Sequence, residues 1–347
     1  MYEQHYGLTL KPFQLSPDPR FFYASNKHKQ ALSYLEYGLE QGEGFIVITG
    51  PVGTGKTTLA QSLLSNLDAS KIHAVQIVTS KLSPEDLLLV ITKEFGLTPI
   101  SPAKAHLLQA IEEHLMTLKL QGMRALLLVD EAQNLPLDSV EELRMLSNFQ
   151  SDSKPLLQSF LLGQEELKGI ILSPELEQFR QRIIASCHLQ PLTVKEIEQY
   201  VVHRLTSAEI ENAEIFDQEC FIQIQQITKG VPRKINLLVD RILLYGFLND
   251  LTHFTSNEVQ IVIDEMADEL SASLSEHNQQ HESVKTQVSH NLNPTNNHDA
   301  LYSSLQKVDD YLQENIDQKI KMNRYLDKLL KQKNLTLSQF DSSKDDN

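Results

Sequence analysis

Gly50-Pro51-Val52-Gly53-Thr54-Gly55-Lys56-Thr57 satisfies G-x-x-x-x-G-K-[ST] at every fixed position, and its flanks decide the fold. Before it, Phe45-Ile46-Val47-Ile48-Thr49 is a β-branched apolar run of the kind that forms a buried strand; after it, Thr58-Leu59-Ala60-Gln61-Ser62-Leu63-Leu64 has helical spacing. In such a strand–loop–helix the glycines let successive backbone N–H groups turn inward around a polyphosphate, and the helix N-terminus adds partial positive charge. Residues Gly50 to Thr58 form the expected cradle. Lys56 reaches the β- and γ-phosphates, and the Thr57 hydroxyl sits on Mg²⁺. A Gly-rich turn that binds nothing has no need of both flanks, so the stretch predicts nucleoside triphosphate binding.

Working outward, Ile72 to Val78 alternates as a second strand, and Ser83-Pro84 caps a helix that Gly96 stops. Another helix is expected from Pro102 to Leu120. Ala125-Leu126-Leu127-Leu128-Val129 is a continuous apolar strand ending in Asp130-Glu131. A helix over Ser139 to Phe149, a strand over Leu156 to Leu162, a helix over Pro174 to Ile184 and a short strand over Ala185 to Leu189 complete the series. The alternation predicts a parallel five-stranded sheet sandwiched by helices, with ligands beyond the carboxyl ends of the strands. Past Pro191 only helical patterns remain: Val194 to Leu205, Gln218 to Thr228, Pro232 to Phe247 and Ser256 to Glu269. They read as a small all-α second domain. In front of the sheet, Tyr2, Tyr6, Phe13, Phe21, Phe22 and Tyr23 crowd into a leader broken by Pro12, Pro17 and Pro19. It reads either as a packed cover on one edge of the core or as a linker beside the nucleotide base. Asn26 to Leu39 follows as a helix.

The chain of 347 residues has a formal net charge of −15, and residues 271–347 hold nine Lys/Arg and eleven Asp/Glu, leaving about −13 on the rest. An acidic body argues against binding along a nucleic-acid backbone, which needs a basic stripe. Cys187 and Cys220 stand far apart with no C-x-x-C, so neither a zinc site nor a disulfide framework is suggested. No signal peptide and no run approaching 18 apolar residues is present, so a cytoplasmic protein without a transmembrane segment is expected.

Asp130 is the acid that a hydrophobic strand delivers to Mg²⁺, either directly or through a bound water. Glu131 would orient and deprotonate the water that attacks the γ-phosphate, which favours hydrolysis over a nucleotide switch with negligible turnover. Gln164, ending the fourth strand, is placed for the γ-phosphate or the attacking water. Arg180 and Arg182, just before the fifth strand, are candidates to neutralise transition-state charge in a neighbouring subunit's site, with Arg182 preferred. Arg233, in Gly230-Val231-Pro232-Arg233, falls in the first turn of a helix, where a cation is disfavoured unless an anion lies near. It is expected to sense the γ-phosphate in its own subunit.

Together these motifs resemble an AAA+ ATPase, and more closely the ExeA/GspA-like secretion-associated group. The resemblance is carried by Tyr6-Gly7-Leu8, Lys11-Pro12-Phe13, Ser16-Pro17-Asp18-Pro19-Arg20-Phe21-Phe22-Tyr23, Ser25, His28 and Ala31-Leu32 in the leader. It continues in Asp130-Glu131-Ala132-Gln133-Asn134-Leu135, Leu161-Leu162-Gly163-Gln164-Glu165-Glu166-Leu167 and Gly230-Val231-Pro232-Arg233, and it spans roughly residues 1–268. It implies a leader with a first helix (1–40), a P-loop ATPase core (41–191) and a helical lid (192–270). A disordered linker (271–298), an amphipathic helix (299–333) and a disordered tail (334–347) are expected to follow. That last helix carries Leu301, Leu305, Val308, Leu312, Ile316, Ile320 and Leu330 at helical spacing.

Members of the group serve type II secretion, mannose-sensitive-haemagglutinin-type pilus assembly and the exosortase/PEP-CTERM exopolysaccharide system. A related branch holds TniB-like transposition ATPases. The resemblance therefore implies ATP and Mg²⁺, self-association as a ring or filament, and cytoplasmic components of an envelope system as partners. The 301–330 pattern, an amphipathic helix with no core of its own, either packs on such a partner, self-associates or lies on a surface, its mixed charge making the last the weakest reading. A partner would hold the protein peripheral at the inner membrane. The alternative is a DNA-associated regulator of transposition. The secretion archetype continues into a transmembrane helix and a peptidoglycan-binding domain, neither of which is read in this chain, so a direct cell-wall role is not expected.

Overall fold

The structure is a computed structural model that describes residues 2–16 and 18–281. It divides into two compact units, 1–262 and 263–347. Of the second unit only the helical residues up to His281 are described. Pro17, residues 282–298 of the expected linker, the 299–333 pattern and the tail lie outside the described residues.

Five strands, β1 (Phe45–Thr49), β2 (Ile72–Val78), β3 (Arg124–Asp130), β4 (Leu157–Gly163) and β5 (Ile183–His188), form one sheet in the order β2-β3-β4-β1-β5. Every neighbouring pair is parallel. β1 and β4 are buried along their whole length, as strands covered on both faces must be. Alternation then sorts their side chains. Phe45, Val47, Leu127, Val129 and Leu161 enter one core with α3 (Pro84–Glu94), α4 (Lys104–Leu120) and α5 (Leu137–Leu146). Ile46, Ile48, Leu126, Leu128, Phe160 and Leu162 enter the other, with α1 (Asn26–Gln41) and α2 (Lys56–Asn66). Because β1 lies between β4 and β5, Thr49, Gly163 and His188 come side by side at one edge, and Asp130 ends the next strand but one. That edge is the crevice at which a doubly wound sheet binds its ligand.

The expected helix over Pro174 to Ile184 is corrected. A 3₁₀ turn (Pro174–Leu176) and one helical turn (Glu177–Arg180) precede a strand that already begins at Ile183. Sheet pairing overrides the helical spacing there: Phe45 N donates to the Arg182 carbonyl at 2.9 Å, and Ile183 pairs with Phe45. Elements additional to the expectation among the described residues include a short helix at Tyr2–His5 in the leader, which was expected to be extended or turning, α6 (Glu166–Ile171) and a small hairpin pairing Gln150–Ser151 with Lys154–Pro155.

The helical domain contains α7 (Val194–Ser207), α8 (Gln218–Thr228), α9 (Pro232–Leu248) and α10 (Ser256–His281). A capping box between Thr193 and Glu196 starts α7, and Pro232 occupies the first turn of α9. Helix α10 runs eleven residues into the stretch expected to be linker. The leader covers this domain rather than an edge of the sheet. Tyr2 donates to Asp240 at 2.5 Å, the Tyr6 hydroxyl reaches the Leu243 and Leu251 carbonyls at 3.2 and 3.0 Å, and Thr9 N donates to the Ala208 carbonyl at 3.0 Å. Aromatic rings without a helical period find their apolar cover on the nearest helices. Further on, the turn Pro19–Phe21 touches both α7 and α2, so the leader ends beside the phosphate loop after all.

Candidate functional site

The loop leaves the carboxyl end of β1 and enters α2 at Lys56. Gly55 has φ 91° as the residue before the helix, a conformation that a side chain would oppose. Gly53 has φ 78°, and a Cβ there would stand 2.8 Å from Arg233 Cβ. Arg233 thus lies directly against the loop, and its backbone N–H donates to the Gly53 carbonyl at 3.2 Å.

Lys56 is buried and donates to the carbonyls of Gly50 and Pro51 at 2.8 and 3.0 Å. Burial lowers its pKa, while Glu131, Asp130, Glu166 and Glu165 oppose that shift and favour the ammonium. Thr57 donates from Oγ1 to Asp130 Oδ2 at 2.8 Å. Asp130 is 2% exposed, and burial raises its carboxyl above the usual range despite the bonds from Thr57 Oγ1 and Glu131 N.

The donor set fits Mg²⁺. Thr57 and Asp130 offer hard oxygens, and among the described residues no group of three His, Cys, Asp or Glu forms a cage. That sparse set suits an ion whose other ligands are phosphate oxygens and water.

Glu131 Oε2 accepts from Gln164 Nε2 at 3.1 Å and from Gln133 Nε2 at 2.6 Å. Gln164 therefore reaches the acid expected to activate water. Pro51, Val52 and Thr54 line the loop, and Thr54 closes it by donating to the Pro51 carbonyl at 2.8 Å. Thr58 follows in the first turn of α2. Arg180 and Arg182 do not join this group. Arg182 sits beside the amino end of β1, roughly 15 Å of strand away from the loop. Its guanidinium donates to Ser147 Oγ at 2.7 Å and to the Asn148 side chain, on the rim of an open cleft of about 830 Å³. Arg180 closes the end of α6 through the carbonyls of Ile171 and Ser173, both at 3.1 Å.

Three residues at the site were not singled out by sequence reasoning. His28 Nε2 donates to the Thr54 carbonyl at 3.0 Å, with Nδ1 2.7 Å from Ser25 Oγ, and burial lowers its pKa. His188 lies 3.1 Å from Thr49 Oγ1 and 3.4 Å from Glu165 Oε1. Gln133 is the third. Its signal was an amide two residues past the acid in Asp130-Glu131-Ala132-Gln133; for His28 it was the position in the leader pattern, and for His188 there was none.

Sheet order, phosphate loop, acid-tipped third strand and helical lid define a P-loop ATPase of the AAA+ class, and a family described as the AAA domain matches residues 39–171. Within that class the chain belongs to the ExeA/GspA-like ATPases: it is 38% identical over 268 residues, 77% of its length, to General secretion pathway protein A of Aeromonas hydrophila. It spans about half of that relative, 49% of its length. Among solved structures, Cdc6p from Pyrobaculum aerophilum is similar at 16% identity and a TM-score of 0.58, over 74% of this chain and 72% of that one. The ADP form of the Aeropyrum pernix ORC2 protein gives 16% identity and 0.53, over 74% and 78%. These likenesses establish the fold.

Proposed function

We propose that the chain hydrolyses ATP with Mg²⁺ as an ATP-dependent oligomer, ring or filament, that drives or regulates assembly of a bacterial envelope secretion, pilus or exopolysaccharide system. The observation that carries the chemistry is the pairing of Thr57 with Asp130 at 2.8 Å, with Glu131 on the adjoining residue. Mg²⁺ held by these two residues would supply charge neutralisation at the β- and γ-phosphates. Glu131 takes a proton from water as the water oxygen bonds to the γ-phosphorus, and the bond to the β–γ bridging oxygen breaks, leaving ADP and phosphate. Lys56 exchanges two carbonyls for phosphate oxygens, and Gln164 holds the Glu131 carboxylate. Arg233 meets the γ-phosphate from the lid. Arg182, far from its own loop on an open rim, completes a neighbour's site, while the two carbonyl bonds of Arg180 suit it to bracing α6.

Identity to a secretion protein supports the biological process, and the half of that relative outside the alignment leaves system and partners as inference. No helix among the described residues is long and apolar enough to cross a membrane. We place the protein in the cytoplasm, peripheral at the inner membrane through a partner that the 301–330 segment engages; the exosortase/PEP-CTERM and pilus-associated types are the nearer analogues.

The test is Glu131→Gln. Wild type should release phosphate from MgATP, and the variant should bind ATP within about threefold of wild type yet turn over at least 10²-fold more slowly. Equal turnover refutes the water-activating role. Absence of phosphate release by wild type refutes hydrolysis in favour of a switch. Capture of the ATP-loaded variant with secretion or pilus components supports the process; capture with transposase or DNA overturns it.

A further inference from the structure

Glu131 is held in the left-handed region, φ 55° and ψ 36°, which a residue with a Cβ adopts only when its surroundings impose it. Those surroundings are identifiable. Asp130 Oδ1 accepts the Glu131 N–H at 2.9 Å, and Thr79 Oγ1 lies 2.7 Å from the Glu131 carbonyl and 3.0 Å from that of Asp130. The turn that follows, Ala132–Asn134, brings Gln133 back over the acid.

The Gln133 amide is then used at both ends. Nε2 donates to Glu131 Oε2 at 2.6 Å, and Oε1 accepts the backbone N–H of Gln164 at 2.9 Å, while Gln164 Nε2 donates to the same Glu131 oxygen at 3.1 Å. The closed circuit joins the end of β3 to the end of β4. Gly163 makes room for it, since a Cβ there would stand 3.1 Å from Gln133 Oε1 and 2.6 Å from Leu167. The residue before Glu131, Asp130, accepts from Thr57 Oγ1 at the start of α2 at 2.8 Å, so the circuit lies beside the end of the phosphate loop.

We propose that Gln133 is a positioning residue for hydrolysis, fixing Glu131 through Oε2 so that Oε1 receives the proton of the attacking water. The assignment rests on the hydrolytic reading above. A misplacement of about 1 Å at a base costs on the order of 10²-fold in rate. An amide that merely braced β4 would instead affect folding or nucleotide binding.

The experiment compares wild type, Gln133→Ala and Gln133→Glu by steady-state phosphate release and by binding of a fluorescent ATP analogue. Gln133→Ala should lower kcat by roughly 10- to 100-fold with KM and Kd within about threefold. Gln133→Glu keeps the size and the acceptor for Gln164 N–H but sets a carboxylate against Glu131, so kcat should fall at least as far. In a Glu131→Gln background, Gln133→Ala should leave the single-turnover rate unchanged, because the effect runs through the acid. Wild-type kcat in both Gln133 variants overturns the assignment alone, as does an equal loss in Kd or a full additive loss in the Glu131→Gln background. A wild type that binds MgATP without turnover overturns it together with the hydrolytic reading.

Discussion

Arg204 lies 7% exposed on α7, with its guanidinium Nε donating to the Pro12 carbonyl at 2.5 Å and Nη1 to the Tyr200 hydroxyl at 2.5 Å and Asn236 Oδ1 at 3.3 Å. The same group stands over the rings of Phe13, Phe21 and Tyr200 at 5.8, 5.2 and 5.3 Å. It is therefore one of the points at which the leader is fastened to the lid, beside the bonds of Tyr2, Tyr6 and Thr9. Replacing it by methionine keeps the length and apolar stem, so little cavity is created. The loss is two close charge-assisted bonds at ~1.5–3 kcal/mol each, and the Pro12 carbonyl is left buried without this donor. Desolvated ring contacts add about 0.5–2 kcal/mol each. Against this stands the several kcal/mol cost of burying a guanidinium among neutral partners, which methionine avoids.

We expect a net destabilisation of about 2–3 kcal/mol, or roughly 4–5 °C in Tm for a protein of this size. Differential scanning fluorimetry of Arg204→Met, with limited proteolysis of residues 2–25, measures both the melting and the release of the leader. A variant that melts within about 1 °C of wild type with an unchanged leader cleavage rate would refute this account of the contact.

Gly53→Ala should weaken ATP binding roughly tenfold or more, since φ 78° and a Cβ 2.8 Å from Arg233 Cβ cost ~1–2 kcal/mol in backbone alone; an unchanged Kd in titration would show that lid and loop are not in contact there. Arg182→Ala should abolish turnover on its own and recover part of it when mixed with a Lys56→Ala partner that supplies the arginine. Mixed oligomers that form but stay inactive would sink the in-trans role. Burial lowers the His28 pKa, so as pH falls below about 6.5 the unfolded chain gains its proton first and stability declines, with no contribution above that pH. His28→Gln keeps an N–H for the Thr54 carbonyl and should flatten part of the Tm decline between about pH 7 and 5, with His114, His188 and His203 supplying the remainder. A slope equal to wild type would remove His28 from the titration.

The parts of the fold legible in the sequence are those where one local signal has one physical meaning. Phe45 to Thr49 and Ala125 to Val129 are continuous apolar runs because both faces of the sheet are covered, and the phosphate-loop pattern fixes the turn between β1 and α2. Where two patterns compete the reading failed. Ile183 and Ile184 continue a helical spacing yet belong to β5, with Ile183 paired to Phe45 and Ile184 at the register shift, since the sheet offers backbone partners that the sequence does not display. The hairpin at 150–155 depends on positive φ at Asp152 and Ser153, without the Asn-Gly or Asp-Gly that announces such turns. The leader's aromatics were visible, but their partner Arg204 sits some 190 residues away on a helix whose spacing gives no sign of a buried cation. Gln133 illustrates the same limit at the site: its role appears only once β4 brings Gln164 alongside.

The phosphate loop carries the consequence of these long-range contacts. Its carbonyls are claimed from several directions: Gly50 and Pro51 by Lys56, Pro51 again by Thr54, Gly53 by Arg233 N–H of the lid, and Thr54 by His28 of the first helix. Carbonyls tied to protein donors let the loop turn N–H groups other than those of Gly50 and Thr54, which bond to the Gly163 and Pro51 carbonyls, toward a polyphosphate. Two of those ties come from bodies that are themselves joined, because the leader ending at Ser25 is fastened to α7, and Asn26 N donates to Glu196 at 3.3 Å. Phosphate that draws Lys56 off its two carbonyls would therefore alter a loop whose Gly53 and Thr54 carbonyls are held by the lid and by the helix that follows the leader. A phosphate held at Lys56 would have a short covalent and hydrogen-bonded route to both, through the four loop residues from Pro51 to Thr54, and on the lid side that route ends at Arg233.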